Sequence, residues 1–297
     1  MPRRQLFPIT ARHQRTCPAS SADVISGMFP SDQVFIRVCH VKKGYEDRER
    51  HIREEFSKRG VPVNFFLDWD VADVTEEAKA SFTASNRLRA SEISLGLKHI
   101  GVWREFLKTD LPYCLVFEDD VFLAKNFVRK LNECLAEIGN PDRRAAVYLG
   151  NGCNYYVAGW KLRRGQQLYP ASHARCADSY LITRPVAEAR LAWIDKHKVS
   201  LPIDHQIEFI DEQLGIEMLW FERPIVEQGS QNGAFQSSVA GRRHLLRFKQ
   251  IDWFLVKHWR RFFGHSSRRK QQAKSGEVLR LAPETGKIGG AKLSGEK

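Results

Sequence analysis

Hydrophobic and polar positions along this chain follow two periods. Val34-Phe-Ile-Arg-Val38, Val61-Pro-Val-Asn-Phe-Phe-Leu67, Tyr113-Cys-Leu-Val-Phe117, Ala145-Ala-Val-Tyr-Leu149, Ser179-Tyr-Leu-Ile-Thr183 and Glu217-Met-Leu-Trp-Phe221 are short apolar runs bounded by turn residues, the pattern of buried strands. Between them the period lengthens to that of a helix. Tyr45 to Arg59 places Ile52 and Phe56 on one face, and Ser91 to Leu107 does the same with Ile93, Leu97, Ile100 and Phe106. Phe127 to Ile138, Val186 to His197 behind Pro185, and Ile203 to Leu214 complete the helices. Gly60 and Gly139-Asn-Pro141 are C-terminal stops, and Asp68 to Asn86 reads as loop with one short helix. The opening strand–helix–strand unit implies a parallel pair. The alternation over the whole chain predicts an α/β sandwich with a mostly parallel central sheet.

The pattern divides the chain in three. Residues 1–33 mix Pro, Ser and Arg without periodicity and predict a poorly ordered extension; residues 34–240 predict the folded domain. In residues 241–297, a helical wheel of His244 to Phe263 at about 100° per residue gathers Ile251, Leu255, Phe248, Trp259, Leu245, Val256, Phe262 and Phe263 on one arc. Only Asp252 interrupts that arc; Lys249, Arg260, Lys257, Gln250, Arg261, Arg247 and His258 lie opposite, with Trp253, Leu246 and Phe254 among them. A basic amphipathic helix with aromatics on its apolar face predicts either contact with an anionic membrane surface or packing on the domain, with the basic Arg268-Arg-Lys270 beyond favouring the membrane. The Gly-, Lys- and Ser-rich end predicts disorder.

Charge sharpens this division. The net charge is +12, but Gly241 to Lys297 carries 15 of the 47 Lys and Arg and 4 of the 35 Asp and Glu. The rest is close to neutral, which argues against a nucleic-acid partner. Hydrophobic content of 42% and charged content of 28% are those of an ordinary soluble protein. The six cysteines are scattered without a C-x-x-C pair, which argues against zinc and suits a reducing compartment. Arg3 and Arg4 are followed by no apolar signal region, and no apolar run is long enough to span a bilayer. The expected location is cytoplasmic, peripheral at the inner face of the cytoplasmic membrane.

The chemistry concentrates at Glu118-Asp-Asp120, directly after the most hydrophobic run in the chain. Carboxylates at the carboxyl end of a buried strand occupy the rim where open α/β sheets bind ligands. Three adjacent negative charges are tolerable there if a cation sits among them, and hard divalent cations bind through one or two carboxylates plus substrate phosphates. Glu118 and Asp120, at alternate positions, point to the same side. The competing reading of an isolated acidic triplet is a solvated turn. Arg48 and Arg50 follow the first strand, where one of them would meet a diphosphate; the competing reading, stronger for Arg50, is a solvated charged helix face. His99 and Trp103, one helical turn apart, read as packing. Asn151 and Gly152 end the next strand, and Tyr155, Tyr156 and Trp160 offer flat rings for a ligand or, equally, core and loop packing.

At these residues the chain resembles glycosyltransferase family 25, which includes bacterial lipooligosaccharide β-1,4-galactosyltransferases and collagen galactosyltransferase domains. The resemblance is carried by Ser91-Glu-Ile-Ser with Lys98-His99 and Trp103, and by Leu111-Pro-Tyr with Leu115-Val-Phe-Glu-Asp-Asp120-Val. It extends to Asp47-Arg-Glu-Arg50, Asp178-Ser-Tyr-Leu-Ile-Thr183, Leu201-Pro-Ile-Asp204-His, and Pro224 to Gln228 with Gly233 and Ser237-Ser238, in order from about Gln33 to Val239. Lys98 before His99, and Ile36-Arg-Val-Cys39 in the first strand, depart from the usual pattern.

What the resemblance implies is a GT-A-like nucleotide-sugar-binding sandwich, with residues 34–240 as the catalytic domain. A UDP-sugar, with galactose as the expected sugar, would be the donor, and the acceptor a glycan or lipid-linked oligosaccharide such as lipopolysaccharide core. The implied cofactor is a divalent metal of the Mn²⁺ type, with Mg²⁺ as the alternative. Glu118 and Asp120 would hold the metal, Arg48 and Asp119 the donor, and inversion at the sugar would need a carboxylate base. Asp204 is the expected base, set against a simple helix-cap role; Asp178 and Glu227 are the alternatives. Competing functions are a metal-dependent phosphohydrolase or nuclease and a non-catalytic glycan- or lipid-binding relative.

Overall fold

The computed structural model describes residues 27–263 other than 84, 86, 172, 233, 234 and 236–245. Most of the expected N-terminal extension, the Ser237-Ser238 element and the tail beyond Phe263 lie outside the described residues.

The apolar runs form strands and the longer period forms helices, in the order expected. Val34–Cys39 (β1), Glu46–Ser57 (α1) and Phe65–Phe66 (β2) make the opening unit, and β1 and β2 pair in parallel. Gly60 turns the chain at φ +66°, and Pro62, lacking an N–H, shortens β2 relative to the predicted run. Glu76–Phe82 (α2), Ala90–Phe106 (α3), Tyr113–Glu118 (β3), Val121–Leu123 (β4) and Phe127–Ile138 (α4) follow. The chain continues through Ala145–Tyr148 (β5), Leu168–Pro170 (β6), Ser179–Thr183 (β7), Arg184–His197 (α5), Ile203–Leu214 (α6), Glu217–Phe221 (β8) and Val226–Gln228 (β9). It closes with the short Gly229–Asn232 (α7) and Leu246–Phe263 (α8).

Among the described residues, seven strands form one sheet in the order β2-β1-β3-β7-β5-β8-β6. Five of them run in one direction, as the alternation implied. However, β7 runs antiparallel between β3 and β5, and β6 antiparallel along β8, so the pairings are evenly mixed. The direction of β7 is not readable from its apolar run, because a strand buried on both faces looks alike in either orientation. Period-two alternation sends side chains to two cores. Tyr113, Leu115 and Phe117 pack with Ile52, Phe56 and Leu131 on the α1 and α4 side. Cys114 and Val116 pack with Ile100, Trp103, Ile194 and Ile207 on the α3, α5 and α6 side.

The order β2-β1-β3 matters for function. The chain leaves β1 toward one side and returns to β3 on the other, which opens a crevice at the carboxyl ends of these two strands. A small antiparallel sheet of β4 and β9 closes one side of it.

Under the α3 core lies a fully buried ion pair. Arg190 of α5 donates from Nε and Nη2 to Asp211 of α6 at 2.8 and 2.6 Å, and its guanidinium sits over the Trp103 and Tyr180 rings. This pair fixes α6, which carries Asp204, against the sheet. Removing one partner strands the other charge, so Asp211→Ala should lower stability by about 3–5 kcal/mol, while Arg190→Met with Asp211→Leu should restore most of it. Urea denaturation of the three proteins tests this.

Candidate active site

The end of β3 drives three carboxylates into the crevice, and each finds a different environment. Asp119 is buried and clamped: Arg48 donates from Nη1 to Oδ1 at 2.6 Å, and His40 Nδ1 lies 2.7 Å from Oδ2. Arg48 comes from the first turn of α1 and His40 directly follows β1, so this cluster joins three elements. Burial works against the Arg48 charge, but Asp119 beside it holds the guanidinium pKa above its ordinary value. Asp120 is also buried; the Ser230 N–H donates to its Oδ2 at 2.9 Å, and among the described residues its Oδ1 has no hydrogen-bond partner. The Gly229 N–H reaches the Asp120 carbonyl at 2.6 Å. A Cβ on Gly229 would fall 2.7 Å from that carbonyl and 2.5 Å from the Phe235 ring, so only glycine allows the approach. Glu118 is partly accessible and accepts from Gln228 Nε2 at 3.2 Å.

The electrostatics follow from crowding. Burial raises Glu118 well above the ordinary carboxylate range, and the charges of Asp120, Asp178, Asp119 and Asp204 add to it. Burial raises Asp120 too, opposed by Arg48 and the Ser230 hydrogen bond. Such a cluster is short of positive charge and is eased by a cation.

Two cavities share Arg48, Leu95 and Glu118. The smaller, of about 160 Å³, is lined by Arg48, Glu92, Glu118, Asp120, Asp204, Gln228 and Ser230. The larger, of about 610 Å³, opens along the β1 end past His40, Tyr45, Asp70, Ser91, Lys98 and Asp119. Arg48, the consecutive Glu118, Asp119 and Asp120, and Asp204, from three distant segments, are thus gathered around one crevice. Asp204 sits in the first turn of α6, where the N-cap position belongs to Pro202; its Oδ1 accepts from the His205 N–H at 2.9 Å.

Other candidates fall elsewhere. Asp178 lies behind Glu118, its carbonyl accepting from the Glu118 N–H at 2.8 Å, and is 1% exposed. Glu227 is held in an ion pair with Lys257. Arg50 faces solvent. His99 is fully buried, pairs with the Tyr180 hydroxyl at 2.8 Å and has its pKa lowered by burial to about 3, so it is a neutral core histidine. Asn151 is fully buried against Tyr156, and Gly152 packs on the Arg175 carbonyl. Tyr155 stacks on Trp220, while Trp160 is exposed away from the crevice.

Sequence reasoning missed Glu92, His40, Gln228 and Ser230. His40 was accessible in principle, since it follows a strand at its carboxyl end; the others depend on loops meeting in space. It also missed the approach of Cys153 and Cys176, whose sulfurs lie 3.2 Å apart at the cavity edge. Cys39, Cys114 and Cys134 are core residues whose thiols burial pushes upward.

Comparison with known proteins adds the following. Residues 42–207 match the model of a family described as glycosyltransferase family 25 (LPS biosynthesis protein). The chain is 27% identical over 167 residues to a Haemophilus influenzae protein described as a glycosyltransferase, covering 54% of this chain and 57% of that one. It is 33% identical over 109 residues to the lacto-N-neotetraose biosynthesis glycosyltransferase LgtB of Neisseria meningitidis, covering 35% and 39%. It is 30% identical over 100 residues to the lipooligosaccharide biosynthesis protein lic2B of Haemophilus influenzae, covering 32% and 37%. The chain therefore spans less than two thirds of the length of these curated relatives. Among solved structures, a glycosyltransferase involved in glycosylation of the major capsid of PBCV-1 aligns at TM-score 0.38 and 8% identity, over 75% of this chain and 99% of that one. At that level the likeness carries no argument.

Burial, with the Asp120 charge adding and the Ser179 hydrogen bond opposing, raises Asp178 from 3.8 to about 7. The folded state therefore binds more protons than the unfolded state between these values, and stability falls as pH rises through that window. Asp178→Asn keeps an acceptor for Ser179 and removes the fall. The variant should match the parent near pH 4 and melt higher above pH 7 in metal-free buffer, as measured by thermal denaturation across pH.

Proposed function

The chain belongs to glycosyltransferase family 25, and on that premise we propose that it transfers a sugar, galactose in our reading, from a UDP donor to a lipopolysaccharide-type glycan with inversion at the anomeric carbon. The observation that carries this reading is the crevice at the switch between β1 and β3, where Arg48, Glu118, Asp120 and Asp204 share one cavity. A GT-A-like description of the fold is supported by the same β2-β1-β3 order with the acids at its mouth.

The residues fit a divalent cation. Asp120 has one oxygen fixed by Ser230 and the other without a partner, and Glu118 lies in the same wall with its carboxyl crowded by like charges. Among the described residues no three His, Cys, Asp or Glu side chains converge as a metal cage, so the cation would complete its shell with phosphate oxygens and water. When bound, a Mn²⁺- or Mg²⁺-type ion supplies charge neutralisation for the diphosphate leaving group. A two-metal hydrolase would need a converging cage of acids and histidines, and among the described residues none forms here.

The remaining chemistry belongs to side chains. Asp119 reaches the donor indirectly, by holding Arg48 with its guanidinium at both cavities, where it would pair with diphosphate oxygens. The larger cavity beside His40 and Tyr45 would take the nucleoside. Of the three candidate bases, Asp204 faces the cavity lined by Glu118 and Asp120, whereas Asp178 lies behind it and Glu227 is paired with Lys257. In the transfer the acceptor hydroxyl oxygen bonds to the anomeric carbon and its proton passes to the Asp204 carboxylate. The bond from that carbon to the diphosphate oxygen breaks, and UDP leaves.

A panel of UDP-sugars, assayed for UDP release with and without Mn²⁺, tests the reading; absence of metal-dependent turnover with every donor and with lipid-linked acceptors overturns it. Asp120→Asn should lower kcat by at least about 10²-fold, as expected for loss of several kcal/mol of charge stabilisation, with the melting temperature kept or raised. Asp204→Asn should cost about 10²–10⁴-fold in kcat; near-parental turnover would remove Asp204 as the base.

A further inference from the structure

In the described half of the C-terminal helix the aromatic face is turned outward. Val256, Lys257, Arg260 and Arg261 face the domain. Lys257 pairs with Glu227 of β9, Arg260 donates to the Cys153 carbonyl at 3.0 Å, and the Arg261 guanidinium lies over the Tyr156 ring. The opposite face carries Phe254, Leu255, Trp259, Phe262 and Phe263, all 55–70% exposed. An amphipathic helix that only packed on its own domain would bury the second set and solvate the first.

The outward stripe extends beyond the helix. Gly159 packs close to the Arg261 carbonyl, which brings the next residue, Trp160, beside the helix, 69% exposed. Lys161, Arg163 and Arg164 follow on the same turn, also exposed. An apolar patch of six large side chains, three of them Phe and two Trp, rimmed by basic residues, exceeds what a monomer leaves bare without use. The surrounding charge indicates the occupant. Gly241 to Lys297 is strongly basic, with Arg268-Arg269-Lys270 soon after the helix, and interfacial Trp and Phe with flanking Lys and Arg match the headgroup region of an anionic bilayer. Among the described residues no helix is long and apolar enough to cross a membrane.

We propose that the face formed by Phe254, Leu255, Trp259, Phe262, Phe263 and Trp160 docks on an anionic lipid surface, with the helix's basic side gripping the enzyme instead of the lipid. The grip reaches both rims of the crevice. Glu227 precedes Gln228, which holds Glu118, and Cys153 meets Cys176, which lines the cavity with Asp204. Docking therefore holds the cavity at the membrane surface, where a lipid-linked acceptor is presented; this last step rests on the transferase reading, the docking itself does not.

The test uses the full-length protein and sedimentation with phosphatidylglycerol–phosphatidylcholine vesicles or phosphatidylcholine vesicles alone. The parent should bind the anionic vesicles more tightly, and Trp259→Ser/Phe262→Ser/Phe263→Ser should weaken that binding at least about tenfold. Lys161→Gln/Arg163→Gln/Arg164→Gln should weaken binding to anionic vesicles and leave phosphatidylcholine binding unchanged. Equal sedimentation of parent and aromatic variant overturns the proposal. So does a lipid-free parent dimer, seen by analytical ultracentrifugation, that the aromatic variant abolishes, since the patch would then be covered by a second copy. With a soluble sugar acceptor the aromatic variant should turn over normally. If no UDP-sugar is turned over by any form, the transferase reading fails and the vesicle result stands independently.

Discussion

Asp119 is the residue on which the crevice depends. One carboxylate at the end of β3 receives Arg48 from α1 and His40 from the end of β1, so a single charge cluster joins the two strands of the switch point to the first helix. Buried charges are retained when they are paired and hydrogen-bonded on all sides, and Asp119 meets that condition. Its neighbours do not. Asp120 is half satisfied and Glu118 is crowded by like charges. The same three-residue segment thus contains one structural acid and two that are available for chemistry, and the difference comes from which partners the fold delivers to each.

The walls of the crevice are assembled from distant chain segments, each held by its own device. β9 brings Gln228 to Glu118 through its pairing with β4. Gly229 allows the chain to pass under Asp120 so that the Ser230 N–H can reach its carboxylate. The Arg190–Asp211 pair fixes α6, and Gln206 accepts from the Ser200 and Leu201 N–H groups to order the turn before it. Asp204 is aimed by these contacts and not by any preference of its own. The C-terminal helix is fastened to the same walls by Lys257 and Arg260, which leaves its aromatic face outward.

Much of the architecture was legible because burial imposes periodicity. Phe127–Ile138, Ile203–Leu214 and Glu217–Phe221 occur at the bounds their patterns indicate. The short strands β4, β6 and β9 were not legible, since three residues cannot display a period, and the antiparallel setting of β7 was not, since two-sided burial erases orientation. In the site, a strand tipped with three acids could be picked out from sequence, and so could Arg48 and Asp204 once set in an ordered series. That Asp119 faces a cation and Asp120 faces the cavity could not.

The amino-acid sequence by itself determined the layers, the family and the place where charge would collect, because hydrophobic spacing and local charge are properties of consecutive residues. Tertiary structure alone decided which carboxylate is neutralised and which is left available, that Asp178 and Glu227 lie off the cavity while Asp204 lines it, and that Phe254, Trp259, Phe262 and Phe263 of the terminal helix turn away from the protein. For the acids these outcomes depend on partners far away in the chain, 71 positions for Arg48 and Asp119 and 110 for Gln228 and Glu118. The reason is physical: burial and pairing set whether a charge is stabilised or exposed, and both are fixed only when distant segments meet.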